Sequence, residues 1–208
     1  IRPILFQSDP ENAHDWTLNG LHGLSRNAHL LSALETFCHA TALPVQIESL
    51  HFPNPVGLAA GMDKNALALP AWPSLGFGFI ELGGVTYHAQ PGNPKPRMFR
   101  LPSDLGVINR MGFNNNGALA TVQQLEEWKK AGGWPKVPVA LNLGKSKITP
   151  LESAPEEYAK LVHCFWRWAD FFIVNVSSPN TPELRKLQGA QAIDHVLSAI
   201  DEEVTACR

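Results

Sequence analysis

Charge is sparse in this chain. Asp, Glu, Lys and Arg make up 17% of its 208 residues, and the net charge is −2. No Lys/Arg cluster or basic aromatic stripe is present, so the electrostatic footprint of a nucleic-acid binder is missing. Cysteine is scarcer still. Cys38, Cys164 and Cys207 are three in number, an odd count without metal-type spacing. A disulfide framework is not expected, no metal site is expected, and a reducing compartment fits. Cys164 falls in an amphipathic pattern and reads as core. No apolar run reaches the roughly 18 residues of a membrane span. The start Ile1-Arg2-Pro3-Ile4-Leu5-Phe6 is too short an apolar run for a secretory signal. Any membrane contact is therefore expected to be peripheral. What is present is an apolar content of 44%, enough in a chain of this length for one sizeable domain with a real core.

Hydrophobic periodicity divides the chain in two. Over 1–44 the pattern is helical. Asp9-Pro10-Glu11 is a helix start, with Asp as cap and Pro in the first turn, and predicts a helix from Pro10 to about Leu24. A second helix is predicted from Ala28 to His39, with Leu30, Leu31, Leu34 and Phe37 and only Glu35 charged. Such a pair is either a hairpin packed on the main domain or an amphipathic pair that dips into a bilayer interface. Over 45–208, strands and helices alternate. Strands are predicted at Val56–Ala60, Phe77–Leu82, Val137–Leu143 and Phe171–Val176. Helices are predicted at Ala66–Leu75, Gly117–Ala131, Pro155–Trp168 and Gln191–Ala206. The stretch Thr86–Gly112, rich in Pro, Gly and Arg, reads as an irregular excursion. Alternating strand–helix units imply an α/β fold with a parallel sheet and right-handed crossovers.

Polar clusters sit where such folds place chemistry, at the carboxyl ends of strands. Asn175-Val176-Ser177-Ser178-Pro179-Asn180-Thr181-Pro182 concentrates amides, hydroxyls and prolines in one stiff loop. Alone it is equally a connection built from Asx and Ser turns. Asn54-Pro55-Val56-Gly57-Leu58-Ala59-Ala60-Gly61-Met62-Asp63-Lys64 has small residues that let backbone approach a flat ligand, followed by a cation. Glycine and alanine also serve tight packing. Asn109-Arg110-Met111-Gly112-Phe113 brings an amide, a guanidinium and an aromatic plate together, or is a solvated loop. Asn142 and Asn175 each close a strand. Their amides suit the edge of a flavin or pyrimidine because they donate and accept, though a lone Asn is often a cap.

In this order, with Pro91-Gly92-Asn93-Pro94-Lys95-Pro96-Arg97 and Asn142-Leu143-Gly144-Lys145, the segments resemble class 2 dihydroorotate dehydrogenases, the quinone-dependent, membrane-associated class. The resemblance runs from about Leu5 to the chain end. It implies a (βα)8 TIM barrel, which needs about 250 residues, so only the first half is expected here and the C-terminal half of the barrel is missing. It implies flavin mononucleotide (FMN) held by Ala60, Gly61, Met62, Asp63, Lys64, Gly84, Asn142 and Asn175. Dihydroorotate or orotate would meet Lys64, Asn109, Arg110, Met111, Gly112, Phe113, Asn175 and Asn180. Ser178 would be the base that takes a methylene proton, with Lys64 steadying charge on the ring. His14 and Arg100 would line the access of ubiquinone or menaquinone, and the helical pair would touch the membrane surface. The implied location is peripheral, on the cytoplasmic face of a bacterial inner membrane. Within Glu81-Leu82-Gly83-Gly84-Val85-Thr86, Gly84 stands where relatives commonly carry Thr or Ser, and His88 replaces a common proline. Other readings are a related flavin barrel with another acceptor, and a non-catalytic piece of the enzyme.

Overall fold

The computed structural model describes residues 5–38, 41–181 and 183–208. Its centre is a parallel sheet of four strands in sequence order: β3 (Gly57–Leu58), β4 (Phe79–Val85), β7 (Val139–Gly144) and β8 (Phe171–Asn175). Sequential parallel strands separated by helices are the arrangement of the first half of a (βα)8 barrel. The central strand β7 is buried at every position. That is why Val139-Ala140-Leu141 reads as a continuous apolar run, the mark of a strand covered on both faces. The edge strand β8 is half-buried throughout.

The core forms where Ile80, Leu82, Val139, Leu141 and Leu143 meet the helices α4 (Gly117–Lys130) and α5 (Ala154–Phe165). From α5 come Tyr158, Leu161, Val162 and Phe165, all fully buried. Their spacing of three and four residues makes one apolar stripe. The helix α6 (Ala190–Cys207) packs on α5 and buries Val196.

The two N-terminal helices are α1 (Pro10–Ser25) and α2 (Ala28–Phe37). Asp9 caps α1, accepting from Glu11 N and Asn12 N, and Asn27 caps α2 in the same way. The predicted end of α2 at His39 lies outside the described residues. No residue of α2 is buried, and Phe37 is 89% exposed. Among the described residues, no helix is long and apolar enough to cross a membrane.

Three expectations are corrected. The strand expected at Val56–Ala60 is only Gly57–Leu58, because the chain turns away at Ala59 to carry the loop 59–67. The helix expected at Ala66–Leu75 contracts to α3 (Ala71–Ser74), preceded by turns. The excursion is not irregular throughout: it contains an antiparallel hairpin of β5 (Met98–Leu101) and β6 (Gly106–Asn109). A further hairpin, β1 (Val45–Ile47) with β2 (Leu50–Phe52), was not anticipated either. Its turn at Glu48, φ 51°, lacks the Asn-Gly or Asp-Gly signal such turns usually show.

Asp63 explains the loop 59–67. Its fully buried carboxylate accepts from Leu67 N at 2.7 Å, Ala68 N at 2.9 Å and Trp72 Nε1 at 3.0 Å. Asp63→Ala would strand these donors in the core, and leaving a buried donor unpaired costs about 1–3 kcal/mol. We expect the variant to lose about 3 kcal/mol in urea unfolding. A loss under about 0.5 kcal/mol, the scatter of ordinary surface changes, would show that the loop does not depend on this carboxylate.

Candidate active site at the strand ends

Three neighbouring strands each direct one polar side chain to the same face. Glu81 comes from β4, Asn142 from β7 and Asn175 from β8. Asn142 Nδ2 donates to Glu81 Oε1 at 2.6 Å, and Asn175 Nδ2 donates to Asn142 Oδ1 at 2.9 Å. Asn175 Oδ1 accepts from the backbone N–H and the hydroxyl of Ser177, at 3.1 and 3.0 Å. A hydrogen-bonded ladder therefore crosses the sheet and ends in the loop that carries Ser178. From behind, the buried Tyr158 donates its hydroxyl to the carbonyl of Asn175 at 2.8 Å. Burial pushes the Tyr158 phenol far above its ordinary range, so this hydroxyl stays a donor.

The Ser178 loop is tied down on the side that precedes Ser178. Arg185 Nε donates to Ser177 O and Gln188 Nε2 to Val176 O, each at 3.1 Å. Ser178 is half-buried, and its Oγ accepts from Asn180 N at 3.2 Å. Pro182 lies outside the described residues.

Beside the ladder the backbone is bare. Gly83, at φ +107°, could not carry a side chain: a Cβ there would lie 2.5 Å from Asn142 O. Gly61, at φ +102°, faces open space, and its N–H donates to Gly83 O at 2.6 Å. The Phe113 ring lies on Gly84 and Gly144. A Cβ at Gly84 would come within 2.7 Å of that ring, so a Thr or Ser here would require the ring to shift. Met111 and Gly112 are buried. Asn109 and Arg110 are exposed. Arg110 Nη2 bonds Pro96 O at 2.9 Å and its carbonyl accepts from Asn93 at 2.8 Å, so its described partners lie within the excursion.

Lys64 follows the Gly61 turn. Among the described residues its ammonium has no hydrogen-bond or ion-pair partner. Burial, and then the nearby Arg97 charge, lower its pKa. It lines a cleft of about 210 Å³ with His14, Asp15, Asn65 and Asn114. Asn114 Oδ1 is buried and has no partner among the described residues. An ammonium without a partner among the described residues is a place for a ligand's acceptor. Ala60 and Met62 belong to the same loop, and Met62 O pairs with His14 Nε2 at 2.8 Å. Arg100, on β5, donates to Ser8 O at 2.6 Å and Leu5 O at 3.0 Å and lies 4.6 Å from the Phe6 ring centroid. His14 and Arg100 thus stand on either side of the seam between α1 and the sheet domain.

Asp63, expected among the cofactor residues, turns its carboxylate into the chain and shapes the loop that carries Lys64. Residues given no role from the sequence support the strand ends. Glu81 anchors the ladder. Lys145, 4% exposed, donates to Ser146 O at 2.8 Å and Thr149 O at 2.6 Å, and burial lowers its pKa. Glu157 on α5 receives Ser146 N at 2.8 Å and Tyr87 N at 3.3 Å. A lone carboxylate in an apolar strand, as in Phe79-Ile80-Glu81-Leu82, was the signal for Glu81. Glu157 carried none, since an acidic residue in the first turn of a helix is ordinary.

A small-residue floor and a ladder of amides fit a flat heterocycle with amide-like edges. Comparison with known proteins narrows this further. The dihydroorotate dehydrogenase family model matches residues 42–207. A Synechococcus protein named dihydroorotate dehydrogenase (quinone) is 48% identical over 97% of this chain and 54% of its own length. One from Salinispora arenicola is 50% identical over 96% of this chain and 59% of its own. A crystal structure of DHODH from Eimeria tenella in complex with ferulenol superposes with a TM-score of 0.78 at 35% identity, covering 95% of this chain and 52% of that one. The chain spans little more than half the length of these relatives.

Proposed function

The chain belongs to the dihydroorotate dehydrogenase family, and from that membership we propose that it carries the N-terminal part of an enzyme oxidising (S)-dihydroorotate to orotate in pyrimidine synthesis, with FMN as cofactor and a membrane quinone as electron acceptor. The observation that carries this reading is the ladder from Glu81 through Asn142 and Asn175 to the Ser178 loop. It fixes Ser177, the residue before Ser178, against the strand-end amides.

FMN would rest on the backbone from Ala60 to Gly61 and at Gly83–Gly84, with Asn142, Asn175 and Lys64 at its polar edge. When bound it supplies the hydride acceptor. The chain's own residues do the rest. Lys64, short of partners and partly desolvated, offers its charge to the substrate ring. Asn175 and Asn180 orient that ring. Phe113 walls it, and Asn109 with the backbone 110–112 receives its carboxylate. Ser178 takes the methylene proton. Residues 1–44 form the quinone-access segment at a peripheral membrane surface, with His14 and Arg100 at its inner end, and 45–208 form the half-barrel. The exposed apolar side chains of α2 support that assignment.

The test is a visible absorption spectrum of the purified chain, followed by anaerobic addition of dihydroorotate. A bound-flavin spectrum that bleaches is the expected result. A flavin that binds but does not bleach would remove the substrate from the proposal. A chain without flavin would mean that these residues do not hold the cofactor by themselves.

A further inference from the structure

Outside the strand-end cleft, α5 and α6 bring three ligand-type side chains together. Glu203 and Cys207 are four residues apart on α6, so they leave the helix on one face. His163 meets them from α5. His163 Nδ1 lies 2.7 Å from Glu203 Oε1, and Cys207 Sγ lies 3.3 Å from that oxygen and 3.9 Å from Nδ1. We propose that His163, Glu203 and Cys207 bind a divalent transition-metal ion of the zinc class, clamping α5 to α6.

The geometry is close to what such an ion needs. Tetrahedral zinc with bonds of about 2.0 Å to nitrogen and oxygen and about 2.3 Å to sulfur has ligand–ligand edges of about 3.3 to 3.5 Å. The three observed separations bracket those edges, so small side-chain rotations suffice. The chemistry also selects. A thiolate and an imidazole favour zinc or cobalt over magnesium or calcium. Carboxylate and thiolate together neutralise a dication, and water fills the fourth position. Binding expels the Sγ proton and replaces the exposed His163–Glu203 pair. The sequence did not show this because 40 residues separate His163 from Glu203, and no motif links them. None of the three lines the Lys64 cleft or bonds to the strand-end ladder, so the site stands apart from the proposed dehydrogenase chemistry.

Cobalt(II) titration of the metal-free chain is the test. A thiolate-to-cobalt charge-transfer band saturating at one equivalent, and displaced by zinc, is expected. Cys207→Ser should abolish the band. His163→Ala and Glu203→Gln should each weaken cobalt affinity by at least about 10-fold. Cys164→Ser, whose thiol packs on the core, should leave the titration unchanged. Far-ultraviolet circular dichroism of the metal-free variants shows that each is folded. If Cys207→Ser unfolds, alkylation of Cys207 in the wild-type chain must remove the band instead. No band in the wild-type chain, or a band that survives loss of the Cys207 thiol, would overturn the proposal.

Discussion

Replacing Ser178 with alanine should slow flavin reduction by dihydroorotate about 10²–10⁴-fold, the usual contribution of a positioned base, while the flavin stays bound. The two adjacent hydroxyls are not equivalent. Ser177 donates its hydroxyl to Asn175 Oδ1 and so belongs to the ladder. Ser178 accepts one bond, from Asn180 N, and its own proton is uncommitted among the described residues. A hydroxyl works as a base only if its geometry is fixed and its proton can leave. The anchors from Arg185 and Gln188 supply the first condition. Because Ser178 holds no rung of the ladder, its loss should not disturb the floor on which the cofactor would rest. Rapid anaerobic mixing, with Ser177→Ala as the comparison, decides the matter. A Ser178→Ala chain that reduces flavin at the wild-type rate would sink the assignment. So would a larger loss in Ser177→Ala.

The second large effect lies at the seam of α1. Glu11, in the first turn, is buried and accepts from Arg97 Nη2 at 2.7 Å and from Arg97 Nε, with Lys95 3.2 Å away. Arg97 is itself buried, and its Nη1 donates to Asn93 O at 2.9 Å. Breaking one side of such a pair leaves a charge in the interior without compensation. We expect Glu11→Gln to lower unfolding free energy at neutral pH by about 3 kcal/mol, the low end for a buried pair because Arg97 keeps its carbonyl partners. The pH dependence follows from the same contact. The hydrogen bond from Arg97 holds the Glu11 carboxyl below its ordinary range against the opposing effect of burial, and Lys95 adds to the lowering. A pKa depressed in the folded state contributes stability that is present above the unfolded value, about 4.3 for Glu, and is lost as pH falls through the folded value. The gap between wild type and Glu11→Gln should therefore be constant near neutrality and narrow below about pH 4. Urea unfolding at several pH values reads it directly. A gap that widens in acid would mean that the carboxylate is not what Arg97 requires.

Much of the architecture was legible because it rests on local signals. Asp9 and Asn27 cap their helices through side-chain oxygens, and β7 is apolar because both of its faces are covered. The misses have a common physical origin. The pairings at Val45–Phe52 and Met98–Asn109 come from alternation too short to rise above neighbouring Pro, Gly and polar residues. The ladder shows a different limit. Asn142 and Asn175 could each be proposed from strand-end position, but their mutual bond and its anchor on Glu81 exist only once β4, β7 and β8 lie side by side. Asp63 shows another limit: the spacing of a polar residue beside a ligand-like motif does not reveal that its carboxylate also holds the backbone that shapes the loop.

The ladder also has a direction. Glu81 ends it with a carboxylate, and an ionised carboxylate can only accept. That one constraint turns the Asn142 amide so that its nitrogen faces Glu81 and its oxygen faces Asn175, and the Asn175 amide must follow. Asn175 Oδ1 is then filled by Ser177, Asn142 Oδ1 accepts from Asn175, and each amide has a second N–H without a partner among the described residues. Under the proposed function these N–H groups would meet the carbonyls of a bound ring. The orientation of a ring bound as proposed would then be set by Glu81, three hydrogen bonds away from the Ser177 hydroxyl that neighbours the proposed base.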